Sequence, residues 1–131
     1  MVVAVIGSRS FSDYDTLKKI LDDDKDITSI VSGGAAGADS LAIQYAKEKD
    51  IPYTIFEADW GDITHPNALI KVNKYGKQYD ARAGFRRNDL IIESCDKVIA
   101  FHDEKSTGTI DSITKAKRLN KKIKIVKYLF L

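Results

Sequence analysis

The residues best suited to chemistry in this chain are Ser32-Gly33-Gly34-Ala35-Ala36-Gly37-Ala38-Asp39, set between the apolar run Ile27 to Val31 and the helical pattern Ala38 to Lys49. A strand, a glycine turn and a helix start in that order make an anion site. Glycine permits φ > 0 and close approach of backbone to ligand. The helix start supplies unpaired N–H groups and the positive end of the dipole. Two further strand exits share this character, Gly7-Ser8-Arg9-Ser10 and Ser106-Thr107-Gly108-Thr109. Arg9 at the first is suited to bidentate phosphate contact, with a salt bridge to a neighbouring loop as the plainer alternative. Hydroxyls and free N–H groups at the third are good phosphate donors, although an N-cap alone would also explain Thr107 or Thr109. Arg82, Arg86, Arg87 and Asn88 cluster at the start of another helical segment. Arg87 and Asn88 are assigned to anion reading and Arg82 is left open. Together these loops point to a phosphate-bearing ligand.

Other candidates are less specific. Asp39 is either a first-turn acid favoured by the helix dipole or an acceptor for a ribose hydroxyl. Glu57 lies 20 residues beyond Gly37, where dinucleotide folds place a ribose-binding acid. Trp60 and Phe11 are each able to stack on a base or to serve as packing residues. His65 and His102 have no paired nucleophile or acid, so no catalytic residue is assigned. Two scattered histidines and the lone Cys95 make no metal site, and no cofactor is expected. Cys95 reads as a small buried packing residue.

The elements that must position these residues alternate regularly. Strands are expected at Val2 to Ile6, Ile27 to Val31, Pro52 to Phe56, Lys97 to Phe101 and Lys122 to Tyr128. Helices are expected at Tyr14 to Asp23, Ala38 to Lys49, within Asp80 to Ser94, and at Thr109 to Leu119. Alternation of this kind argues an α/β, Rossmann-like three-layer sandwich around a mostly parallel five-stranded sheet. Right-handed crossovers favour the order 3-2-1-4-5, with the switch point between strands 1 and 4. Asp59 to Tyr79 is too long for an ordinary connection. Ala68 to Asn73 and Gln78 to Tyr79 read as a β-hairpin turned at Gly76, an insertion at about 61–80 that either folds over the site or only extends the surface. Residues 1–131 are expected to form one domain.

Composition adds bounds. Hydrophobic content of 44% and charged content of 31% are ordinary for a globular protein. The formal net charge is only +2, and on that ground nucleic acid is an unlikely partner. Lys115, Lys117, Arg118, Lys121, Lys122, Lys124 and Lys127 make the C-terminal region basic. A solvated helix face and a lysine-protected edge strand explain them. The tail Tyr128-Leu129-Phe130-Leu131 either covers core or joins a subunit contact. No apolar stretch approaches the length of a membrane span and no signal peptide precedes Val2, so a cytoplasmic protein is the expectation.

The chain resembles the SLOG superfamily in its YspA-like (cpYpsA-related) branch. The matching pieces are Gly7-Ser8-Arg9-Ser10-Phe11, Ser32 to Asp39, Ala58-Asp59-Trp60, Ala83-Gly84-Phe85-Arg86-Arg87-Asn88 and Ser106 to Thr109. The resemblance implies a Rossmann-like domain binding a nucleotide or nucleotide-derived small molecule as sensor or sequestering module. It also implies a homodimer or larger assembly, and adds Asp59 to the site. The superfamily includes the LOG phosphoribohydrolases, whose signature is Pro-Gly-Gly-x-Gly-Thr-x-x-Glu. Here Gly108-Thr109 stands, Pro-Gly-Gly is absent, and the glutamate position is Ser112. Glycosidic cleavage needs a placed carboxylate, so N-glycosidase activity is the alternative rather than the main expectation. Nucleic-acid binding through the lysine-rich end is a second alternative, since the superfamily also holds a DNA-processing member.

Overall fold

Alternate side chains of one short apolar strand organise the whole fold. The computed structural model describes residues 1–128. In β1 (Val2–Gly7), Val3 and Val5 point to one face of the sheet while Ala4 and Ile6 point to the other. All four are buried, as a strand covered on both faces requires. α1 (Tyr14–Asp23) and α2 (Ala38–Glu48) cover the first face through Leu17, Leu21, Ala42 and Ala46. α3 (Ala83–Ser94) and α4 (Thr107–Arg118) cover the second through Ile91, Ile92, Ile113 and Ala116.

β2 (Ser29–Gly33), β3 (Tyr53–Phe56), β6 (Lys97–His102) and β7 (Lys122–Lys127) complete a five-stranded sheet in the order β3-β2-β1-β6-β7, with every pair parallel. β4 (Ile70–Val72) and β5 (Gln78–Asp80) form the separate antiparallel hairpin. Counting sheet strands alone, this is the expected 3-2-1-4-5 order, with β1 and β6 flanking the switch point.

Local chemistry explains most boundaries. Asp13 caps α1 by accepting from the Thr16 N–H at 3.1 Å. β2 begins later than its apolar run suggested. The Met1 ammonium donates to the Asp26 carbonyl and Thr28 donates its N–H to the Met1 carbonyl, which fastens the segment before Ser29 to the chain's first residue. α4 begins at Thr107 rather than Thr109 because Ser106 is its N-cap.

The hairpin turns at Gly76, with φ of 78°, and is fastened at its far end by Asp80. That fully buried carboxylate pairs with Arg86 and accepts from the N–H groups of Leu69 at 3.0 Å and Arg82 at 2.9 Å. Burial opposes the charge, but these donors outweigh it and hold the carboxyl down at about 2. Cys95 is buried, and burial pushes its thiol up. Leu129, Phe130 and Leu131, most of the apolar tail, lie outside the described residues. No helix among the described residues is long and apolar enough to cross a membrane.

Candidate functional site

The carboxyl ends of β1, β2 and β6 meet at the switch point, and the loops leaving them enclose a cavity of about 550 Å³. All three expected corners reach it. Gly7, Ser8 and Arg9 line it from the first, Ala35 and Asp39 from the second, and Ser106, Thr107, Gly108 and Thr109 from the third. Trp60, Arg87 and Asn88 complete the expected set.

The first two corners interlock through backbone. Gly37, the residue before α2, has φ of 77° and lies against the Ser8 carbonyl, so a Cβ there would sit 2.3 Å from that oxygen. The Ala38 N–H donates to the same carbonyl at 3.3 Å. Gly37→Ala is therefore expected to destabilise the fold by roughly 1–3 kcal/mol from backbone strain alone. Thermal melts of the variant check this, and an unchanged melting temperature would refute it.

The third corner is a helix N-terminus open to the cavity. The Ser106 hydroxyl accepts from the Thr109 N–H at 3.4 Å. The N–H groups of Thr107 and Gly108 have no intrahelical acceptor, as in any first turn, and remain for a ligand. Asp103 shapes the approach by accepting from the N–H groups of Lys105 and Ser106 at 2.9 and 2.8 Å. Those bonds hold its carboxyl below the usual range.

Two guanidinium groups flank the cavity. Arg9 is exposed, and no carboxylate lies within 4 Å of it or of Arg87 among the described residues. Arg87 donates to Asn88 Oδ1 at 3.1 Å and to the Phe56 carbonyl at 3.4 Å. These neutral acceptors aim the group without cancelling its charge. Asn88 in turn donates to Asp111 at 3.3 Å and so ties α3 to α4.

Asp39 brings the opposite sign to this space. It is 7% exposed, and burial pushes its carboxyl up to about 6 against the pull of Arg87, the Ala35 N–H and Arg9. A carboxyl shifted this way inside a cleft marks a candidate functional group.

Several expected site residues are elsewhere. Phe11 is buried in the core, tilted against Phe101 at 4.7 Å and edge-on to Tyr128 at 4.9 Å, so it has no face for a base. Ser32 is buried and donates its hydroxyl to the Val5 carbonyl at 2.7 Å. Gly33 lies beneath Arg87 and Asp39. Asp59 is exposed and outside the cavity, and its carbonyl serves the Asp62 N–H at 3.3 Å. Gly34 and Glu57 line an adjoining hollow instead. Arg86 is paired with Asp80, and Arg82, which donates to the Asn67 carbonyl at 3.1 Å, does not line the cavity. The strands of the hairpin contribute nothing to the cavity lining, so the hairpin is not a cover over it.

Ser112, at the position of the LOG glutamate, is buried on the cavity wall. Asp111 faces away from it and pairs with Lys115 at 2.8 Å. Asp103, Phe85 and Gly84 also line the cavity. Asp103 directly follows the buried strand β6 at its carboxyl end, a position readable from the apolar run alone. Phe85 and Gly84 gave no signal of their own beyond membership of the family motif.

Known proteins bear on this arrangement. A family model described as the YspA, cpYpsA-related SLOG family matches residues 1–62. No curated protein matches the chain. Among solved structures, DNA processing protein A from Streptococcus pneumoniae superposes with a TM-score of 0.75 at 23% identity, over 98% of this chain and 51% of that one. DNA processing protein A from Helicobacter pylori superposes with a TM-score of 0.65 at 26% identity, over 95% of this chain and 64% of that one. The chain thus spans between half and two thirds of the length of these structures.

The Helicobacter pylori protein is described by its single-stranded DNA binding mode. That overturns the expectation of nucleic acid as an unlikely partner. The physical error was to average charge over the chain. The net charge of +2 is a sum in which many acids and lysines cancel in ion pairs such as Asp24–Lys97 and Asp89–Lys115, while Arg9 and Arg87 have no carboxylate within 4 Å among the described residues. The match covers just under half of the 131 residues, and the α/β fold continues through the rest, so the likeness to the YspA, cpYpsA-related SLOG family is carried by the N-terminal half of the fold.

Proposed function

We propose that this crevice binds single-stranded nucleic acid, holding a backbone phosphate between Arg9, Arg87 and the N-terminus of α4. The observation that carries this reading is the convergence of three donor-rich corners with two guanidinium groups that have no carboxylate within 4 Å among the described residues. A single helix terminus contributes roughly 0.3–1 kcal/mol toward an anion. Arginine contacts at roughly 1.5–3 kcal/mol each are needed to reach useful affinity. The likeness to a structure described by its single-stranded DNA binding mode supports the choice of ligand.

A second reading, a free nucleotide-derived ligand, is favoured by cavity size. About 550 Å³ falls within the range of about 300–1,000 Å³ usual for small-molecule sites. Hydrolysis of a glycosidic bond is less favoured. The cavity offers the carboxylates of Asp39 and Asp103, the latter oriented through one oxygen by two backbone donors, while Ser112 stands where the LOG glutamate would.

The test is fluorescence anisotropy of a labelled 12-nucleotide single strand, with duplex of the same sequence as competitor. Binding that prefers the single strand and weakens steeply with salt is expected. Absence of binding at 50 mM salt by folded protein would reject the reading.

A further inference from the structure

The adjoining hollow has a volume of about 370 Å³ and shares Arg9, Ala35, Trp60 and Arg87 with the main cavity. The two are lobes of one groove, and the shared residues form the partition between them. Trp60 is the aromatic part of that partition. Its indole edge lies against Gly84 of α3, where a Cβ would come within 2.9 Å of Cη2. Its carbonyl accepts from the Asp80 N–H at 2.8 Å. Both ends of the residue are thereby fixed, although 40% of its surface is open.

The far lobe differs in chemistry from the near one. Its floor is the Gly34-Ala35-Ala36 backbone and its wall carries Glu57, whose stem lies over Gly34. A carboxylate there repels a second phosphate. It accepts from the amino and imino groups of a base or from a sugar hydroxyl. A nucleoside, not a diphosphate, is the unit that suits this lobe.

We propose that the groove takes two consecutive nucleosides, one in each lobe, with the linking phosphate between Arg9 and Arg87 and a base stacked on Trp60. This rests on the single-strand reading above and sharpens it: the recognised unit is a dinucleotide step. The indole serves either base because every base has a π-face, and the guanidinium groups meet the one charge the two nucleosides share.

Trp60 is the only tryptophan of the chain, so its fluorescence reports on the partition directly. The experiment titrates intrinsic fluorescence with thymidine monophosphate, the dinucleotide TpT and a 12-nucleotide oligothymidylate, with calorimetry as an independent measure of binding. TpT carries less charge than the monophosphate, so charge alone would make it the weaker ligand. We expect TpT to bind at least about tenfold more tightly and to quench Trp60, as stacking of an added base implies. Trp60→Ala, shown folded by its melt, is expected to lose about tenfold on TpT, and Trp60→Phe to keep most of it. Equal affinity for monophosphate and TpT, or calorimetric binding of the 12-mer without quenching, overturns the two-lobed step and leaves strand binding standing. No heat with the 12-mer overturns both.

Discussion

Replacing Arg9 and Arg87 together by alanine is expected to lower affinity for a single strand by about 100-fold or more. Each charged hydrogen-bonding contact contributes roughly 1.5–3 kcal/mol, and about 1.4 kcal/mol is tenfold in affinity. The exposed Arg9 belongs at the lower end, because solvent screens it. The slope of log affinity against log salt is also expected to fall by up to about 2, since two phosphate-neutralising cations are gone. Lysine at position 87 restores the charge without the planar fork and recovers only part of the loss. The informative control is Lys122→Ala with Lys124→Ala on the exposed edge strand β7. Anisotropy titrations should show that pair nearly unchanged. If the lysine pair weakens binding as much as the arginine pair, the strand lies on the basic edge and not in the crevice.

Asparagine in place of Asp39 is expected to stabilise the protein at pH 7.5 by about 1–3 kcal/mol. The folded-state carboxyl sits at about 6, against a reference value of 3.8. Between those values the folded chain keeps a proton that the unfolded chain has released. The contribution of Asp39 to stability is therefore greatest below pH 4, falls as pH rises through 6, and is flat above it. Melts between pH 4.5 and 7.5 should show this slope in the wild type and its loss in the variant. The same proton governs the ligand. An ionised Asp39 opposes a phosphate in the cavity, so wild-type affinity should rise as pH falls through 6 while the asparagine protein stays level. A wild type with no slope in either measurement would show that Asp39 is ionised throughout. A buried acid that costs stability beside a binding cleft fits the usual exchange of stability for function.

Much of this was legible in the residues because the relevant forces are local. Ser12 or Asp13 as the available caps and the apolar face of Leu17, Ile20 and Leu21 place α1 at its observed bounds, Tyr14–Asp23, and the Thr16 N–H selects Asp13. Alternation of apolar runs with amphipathic helices gave the sheet order, because handed crossovers leave few other choices. The three corners followed, since strand ends at a switch point must converge.

What failed was non-local. Phe11 next to the glycine-arginine corner looks free to stack, and only the packing of Phe101 and Tyr128 around it shows otherwise. Arg86 and Arg87 are neighbours of the same type, yet one is claimed by a carboxylate on the hairpin and the other is not. Sequence spacing describes one helix at a time, and these outcomes depend on what a second element brings against it.

The crevice is assembled from both ends of the chain: Ser8 and Arg9 stand near its beginning, and the Ser106–Thr109 turn arrives only in its final quarter. Without α4, Arg9 and Arg87 would line an open hollow with no helix N-terminus beside them. Occupancy and completion become one equilibrium. A ligand touching both parts of the cleft would stabilise the packing of α4 against the sheet by mass action.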